Sequence, residues 1–124
     1  MHAGLRDFIS ALEQAGELHR VTAEVNPQLE ITEIADRVSR MPARESSGAR
    51  EFDPAMAAMG GRALLFERVT GSDFPLAINL WGSYRRMEHA LGCAADPRGI
   101  SSIGARIASL TKPVPPRTVR EFLA

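Results

Sequence analysis

Two apolar runs, ALLFERV (Ala63–Val69) and FPLAINL (Phe74–Leu80), are separated only by Thr70-Gly71-Ser72-Asp73. Gly, Ser and Asp are turn formers, and a connection this short cannot carry a parallel crossover. The two runs must therefore pair as an antiparallel hairpin. A hairpin alone is marginal in water and needs a further strand or a covering helix. Upstream, LHRVTAEV alternates, with Val21, Ala23 and Val25 on one side and Arg20, Thr22 and Glu24 on the other, the pattern of a half-buried strand. Asn26-Pro27 ends it, because proline cannot donate to a ladder.

Helical periodicity fills the intervals. Leu5, Phe8, Ile9 and Leu12 fall at i, i+3, i+4 and i+7, with Gly16 placed for a left-handed cap. A second helix spans roughly Glu30 to Met41, with Ile31, Ile34, Ala35 and Val38 as its stripe. Its acids lie early and its bases late, as the macrodipole favours. Glu33–Arg37 and Asp36–Arg40 are i,i+4 pairs, so this carboxylate cluster reads as a self-neutralised solvated face rather than a metal site. Pro42–Gly61 has no clear period and reads as a surface loop, with one helical turn after Asp53-Pro54. Met87, Ala90 and Leu91 outline a short helix capped by Gly92. Asp96 and Pro97 read as the N-cap and first residue of a last helix, whose stripe is Ile100, Ile103, Ile107 and Leu110 and which Gly104 weakens. The fold class is α/β (α+β): a short mixed sheet of about three strands flanked by about four helices.

The totals exclude several classes. The chain has 124 residues, enough for one modest core. Its 15 basic residues balance 15 acidic ones, and the bases are scattered. A nucleic-acid binder would need a positive field, so none is expected. No apolar stretch approaches the roughly 18 residues of a membrane span. Cys93 is the only cysteine, the N-terminus lacks a signal-peptide pattern, and the cytoplasm is the expected compartment.

Catalytic groups are sparse. His2, His19 and His89 lack ligand partners at metal spacing, and His19 and His89 read as structural or exposed. Cys93 follows a helix C-terminus, where the dipole disfavours a thiolate, so it reads as structural. No Gly-x-Ser-x-Gly, Walker lysine loop or GxGxxG occurs. The one candidate is the corner Trp81-Gly82-Ser83-Tyr84-Arg85-Arg86. Ser83 is a good N-cap. Arg85 and Arg86 in a first turn oppose the dipole unless an anion or a neighbouring acid compensates. The corner is therefore structural, an interdomain contact through Trp81, Gly82, Ser83, Arg85 and Arg86, or a small anion site for phosphate or carboxylate.

At the C-terminal end, KPVPP (Lys112–Pro116) forms an extended linker. Thr118 and Glu121 then make a capping-box pattern, with Val119, Phe122 and Leu123 opening an apolar stripe. One turn of helix is not stable alone. The reading is a domain over 1–111 and a linker with a helix start over 112–124, cut where a further domain begins.

Four stretches, LRDFISALEQAGELHRV, LEITEIADRV, ALLFERVTGSDFPLAINLWGS and KPVPP, in this order resemble the start of the UbiD-type carboxy-lyases. The Pro42–Gly61 segment departs from the shortest members and looks like a subgroup insertion. The resemblance implies the N-terminal domain of a reversible decarboxylase of aromatic or α,β-unsaturated acids. It implies prenylated FMN and a divalent, Mn-like metal in the full-length enzyme, a downstream flavin-binding domain of the same chain, and a homo-oligomer. The family's metal site and its catalytic Glu-Arg-Glu set lie beyond the position matching Ala124, so it assigns no catalytic, cofactor or metal residue here. The fragment alone is expected to bind no flavin and to be inactive. A free-standing interaction or regulatory domain is the alternative.

Overall fold

A computed structural model describes residues 2–111. The order is α1 (Leu5–Gln14), β1 (Leu18–Val25), α2 (Glu30–Ser39), α3 (Ser47–Arg50), β2 (Ala63–Val69), β3 (Leu76–Ile78), α4 (Tyr84–Leu91) and α5 (Ile100–Thr111). The three strands form one mixed sheet in the order β1-β2-β3. The expected hairpin is present: β3 pairs antiparallel to β2, with Leu64 opposite Ile78 and Phe66 opposite Leu76. β1 joins the other edge of β2 in parallel, and the β1-to-β2 crossover carries α2.

The central strand is covered on both faces, which is why Ala63, Leu64, Leu65 and Phe66 are buried in succession. Ala63 and Leu65 turn towards Phe8 and Leu12 of α1 and Leu18 of β1. Leu64 and Phe66 turn the other way, towards Val25 and Ile31. β1 departs from simple alternation. Its register slips by one between Val21, opposite Phe66, and Glu24, opposite Arg68. Ala23 is consequently exposed rather than aligned with the buried Val25.

Gly16 takes φ +72° and closes α1 as expected. The α2 pairs form: Arg37 meets Glu33 at 2.7 Å and Arg40 meets Asp36 at 2.9 Å, all on solvated side chains.

Several expectations need correction. The last helix starts at Ile100, not at Asp96-Pro97. Asp96 Oδ1 accepts the Arg98 N–H at 2.8 Å, its carbonyl accepts the Gly99 N–H at 2.8 Å, and Gly99 at φ +48° breaks a right-handed path. β3 covers only Leu76–Ile78, because Ser72 Oγ draws the Phe74 N–H into a turn and Asn79 at φ +59° bends the chain away. α2 ends at Ser39, two residues short of Met41. The Pro42–Gly61 segment is not a plain surface loop. It contains α3 ahead of Asp53, it bonds back on itself through Ala43 N–H to Ala58 O, and it buries Ser46, Gly48, Ala49 and Ala57. A helical turn does follow Asp53, closed by Ala57 N–H to Asp53 O at 3.0 Å. The buried residues of α4 are Arg86 and Glu88, while Leu91 of the expected apolar face is exposed. The α5 stripe is half-buried at Ile100 and Ile103 and open at Ile107 and Leu110, the latter 78% exposed. KPVPP and the Thr118–Glu121 capping pattern lie outside the described residues.

Candidate functional site

The strand-to-helix corner is built by close backbone approach. Asn79 donates through Nδ2 to the carbonyls of Gly60 and Arg62, both at 2.9 Å. A Cβ on Gly82 would stand 1.7 Å from Asn79 Oδ1, and one on Gly60 would stand 1.8 Å from Gly82 O. Only glycine fits at either place. Ser83 then starts α4 as its N-cap, its Oγ accepting the Arg86 N–H at 3.2 Å.

The two arginines point inward. The Arg86 side chain is fully buried and donates to Gly61 O and, at 2.9 Å, to Gly60 O. Glu17 Oε2, itself buried, lies 3.7 Å from the same guanidinium. The Arg86 Nε has no protein partner. Burial pulls the Arg86 pKa down and Glu17 pulls it up. A guanidinium nevertheless stays charged in a protein. Arg85 bonds Glu88 Oε2 at 3.1 Å and Ala94 O at 2.8 Å. The compensation that first-turn arginines require is thus met inside the chain, by carbonyls and two carboxylates.

Glu88 is the second hub. Its Oε1 accepts from Ser46 Oγ at 2.5 Å and from the Ile100 N–H at 3.1 Å. One buried carboxylate therefore ties α4 to the 42–61 segment and to the start of α5. Ser101 Oγ to Gly48 O at 2.7 Å and Ser47 Oγ to Pro97 O at 2.9 Å add to the same junction. A Cβ on Gly99 would fall 1.9 Å from Glu88 Oε1.

With the arginines withdrawn, aromatic and acidic groups are left facing out. Trp81 is 55% exposed and Phe52 57% exposed. A cavity of about 260 Å³ is lined by Asp53, Met56, Trp81, Gly82, Ser83, Tyr84 and Met87. Tyr84 donates its hydroxyl to Asp53 Oδ2 at 2.8 Å, and this bond raises the Tyr84 pKa. Phe52 stands edge-on to Tyr84, with centroids 5.5 Å apart and planes at 85°. Trp81 also borders Phe8 of α1 at 6.0 Å. A second, apolar groove of about 510 Å³ runs between Phe52, Leu91 and the Ile100–Ile107 face of α5.

The remaining candidates lie apart from this corner. His19 is exposed on β1. His2 Nε2 lies 3.0 Å from the His89 carbonyl oxygen, and burial lowers the His89 pKa. Cys93 is buried, and burial with Glu88 nearby pushes its thiol pKa up. Among the described residues no three His, Cys, Asp or Glu side chains converge as a metal site. Among them, too, no helix is long and apolar enough to cross a membrane. The sequence singles out Trp81 to Arg86 as the candidate corner and leaves unmarked Glu17, Ser46, Asp53 and Glu88, whose side chains the structure bonds or pairs to it. An Asp-Pro turn, a serine three residues before Ala49 and the i,i+3 spacing of Arg85 and Glu88 were the available signals for Asp53, Ser46 and Glu88; Glu17 had none.

A family model described as the 3-octaprenyl-4-hydroxybenzoate carboxy-lyase N-terminal domain matches residues 9–107. The match runs from within α1 into α5 and includes the whole sheet and the corner. The chain therefore belongs to the UbiD carboxy-lyase N-terminal domain family.

Proposed function

We propose that this chain is the N-terminal part of a prenylated-FMN-dependent carboxy-lyase acting on aromatic or α,β-unsaturated carboxylic acids. Its role is to orient, and the chemistry belongs to a flavin-binding domain downstream in the same protein. The observation that carries the reading is the family match over 9–107, which covers most of the described residues. The site residues agree with a positioning role. Arg86, Arg85 and Ser83 are engaged by Gly60, Gly61, Glu88 and the first turn of α4.

On this reading prenylated FMN and a divalent metal are held by the downstream domain. At the α4 N-terminus the Arg86 N–H is capped by Ser83 Oγ, and the arginine side chains are held by Gly60, Gly61, Glu88 and Ala94. No convergent carboxylate and histidine set is present among the described residues to hold a metal. No catalytic step is therefore assigned to these side chains. The flavin, when bound elsewhere in the enzyme, supplies the electron sink for carbon–carboxylate cleavage.

The apolar α5 face, open at Ile107 and Leu110, also suits a free-standing interaction domain, which is the second reading. The two separate on the native gene product. Its intact mass and its release of CO₂ from unsaturated acids with prenylated FMN are the measurements. A product several times longer that releases CO₂ supports the enzyme. A product of about this length, inert with prenylated FMN, supports the interaction domain.

A further inference from the structure

We propose that the cavity at the β3–α4 corner receives an arginine side chain, presented by the neighbouring domain; the identity of that domain rests on the reading above. First-turn arginines would suggest an anionic partner. The structure reverses the sign. Arg86 is fully buried on Gly60, Gly61 and Glu17, and Arg85 is tied to Glu88 and Ala94. The cavity is lined by Asp53, Met56, Trp81, Gly82, Ser83, Tyr84 and Met87, of which only Asp53 carries a charge.

This chemistry selects a flat cation. Indole and phenol faces carry negative quadrupoles that attract a guanidinium. Asp53 Oδ2 accepts from Tyr84 and Oδ1 from the Met56 N–H at 3.3 Å. Each oxygen keeps a second lone pair, so the carboxylate can still take a forked donor. Arginine suits such a stacked, bidentate site better than lysine, whose ammonium is a strongly hydrated point charge. Met56 and Met87 supply adaptable walls for the aliphatic stem.

Trp81 is the only tryptophan, so its fluorescence reads the cavity directly. The 124-residue chain is titrated with N-acetyl-arginine amide, with its citrulline analogue, with N-acetyl-glutamate amide and with inorganic phosphate, at constant ionic strength. The arginine probe is expected to saturate with a Kd on the order of 10 mM, as a single stacked cation allows. The neutral citrulline probe should bind at least about five-fold more weakly. Asp53→Asn should reduce that preference, leaving only the aromatic contribution, whereas Tyr84→Phe, which keeps the ring and frees Oδ2, should retain it. Equal response to arginine and citrulline, or saturation by glutamate or phosphate but not by arginine, overturns the proposal. If Asp53→Asn does not fold, the arginine-to-citrulline ratio alone decides. The probes report on the cavity whether or not the protein is a decarboxylase, so this proposal and the functional reading can fail separately.

Discussion

Arg86→Met removes the charge on which the corner is built. The guanidinium holds the buried carbonyls of Gly60 and Gly61 and stands 3.7 Å from the buried Glu17. Leaving a buried acceptor unpaired costs about 1–3 kcal/mol each. Removing one partner of a buried ion pair costs about 3–5 kcal/mol, because the other charge is left uncompensated. Two effects reduce the sum. Arg86 Nε is itself buried without a partner, so its desolvation penalty of about 1–3 kcal/mol is recovered, and methionine restores apolar packing. A net loss of about 4 kcal/mol follows, a large part of the 5–15 kcal/mol typical of a domain. Urea unfolding followed by Trp81 fluorescence measures it. At a slope near 2 kcal/mol/M, the midpoint should fall by about 2 M. The same reasoning requires Glu17→Gln to rescue: the double variant should be about 2 kcal/mol more stable than Arg86→Met alone, since the stranded carboxylate is gone. A loss under about 1 kcal/mol for Arg86→Met, or a double variant no more stable than the single, would refute the view that Arg86 and Glu17 form one buried unit.

The other predictions concern the second hub, pH and the open face. Gly99→Ala puts a Cβ 1.9 Å from Glu88 Oε1 at a residue with φ +48°, and thermal unfolding should show a loss of about 1–3 kcal/mol. Ser46→Ala removes both the α3 cap and a bond to Glu88. It should cost about 1–2 kcal/mol in the same assay. His89 has its pKa lowered by burial, so the unfolded chain binds the proton more readily. Stability should therefore hold above about pH 6.5 and decline as pH falls below it. His89→Gln should flatten that part of the profile in urea melts at a series of pH values. Leu110→Ser, at a position 78% exposed, should change the stability of the 124-residue chain by less than about 0.5 kcal/mol. It should lower the midpoint of the full-length protein if a neighbouring domain covers α5.

Periodicity made the scaffold legible. Leu18–Val25 and Ala63–Val69 are strands with the bounds their alternation and apolar run imply, and α1 ends just ahead of Gly16 because glycine takes that left-handed conformation cheaply. The candidate site was legible as a location and not as chemistry. Arg85-Arg86 at a helix start looks solvent-facing in sequence, since arginine is seldom fully buried. What buries Arg86 is a pair of glycine carbonyls 25 and 26 residues away, and no local pattern carries such a contact. The Pro42–Gly61 segment hid for the same reason. Its order comes from long-range bonds, Ser46 to Glu88 and Asp53 to Tyr84, rather than from any period of its own. Gly99 breaks the helical path at φ +48°, and in the sequence this signal is masked by Asp96-Pro97, itself a strong helix start.

On the proposed reading, this domain orients a flavin-dependent carboxy-lyase without holding its cofactor. The most direct test is to express the native gene product and the 124-residue chain side by side in cells that make prenylated FMN. Bound flavin is then quantified by absorbance and mass spectrometry, and CO₂ release from unsaturated acids is measured. Stoichiometric flavin and CO₂ release are expected for the native product, and neither for the 124-residue chain. Flavin retained by the 124-residue chain, or a native product that binds none, would contradict it.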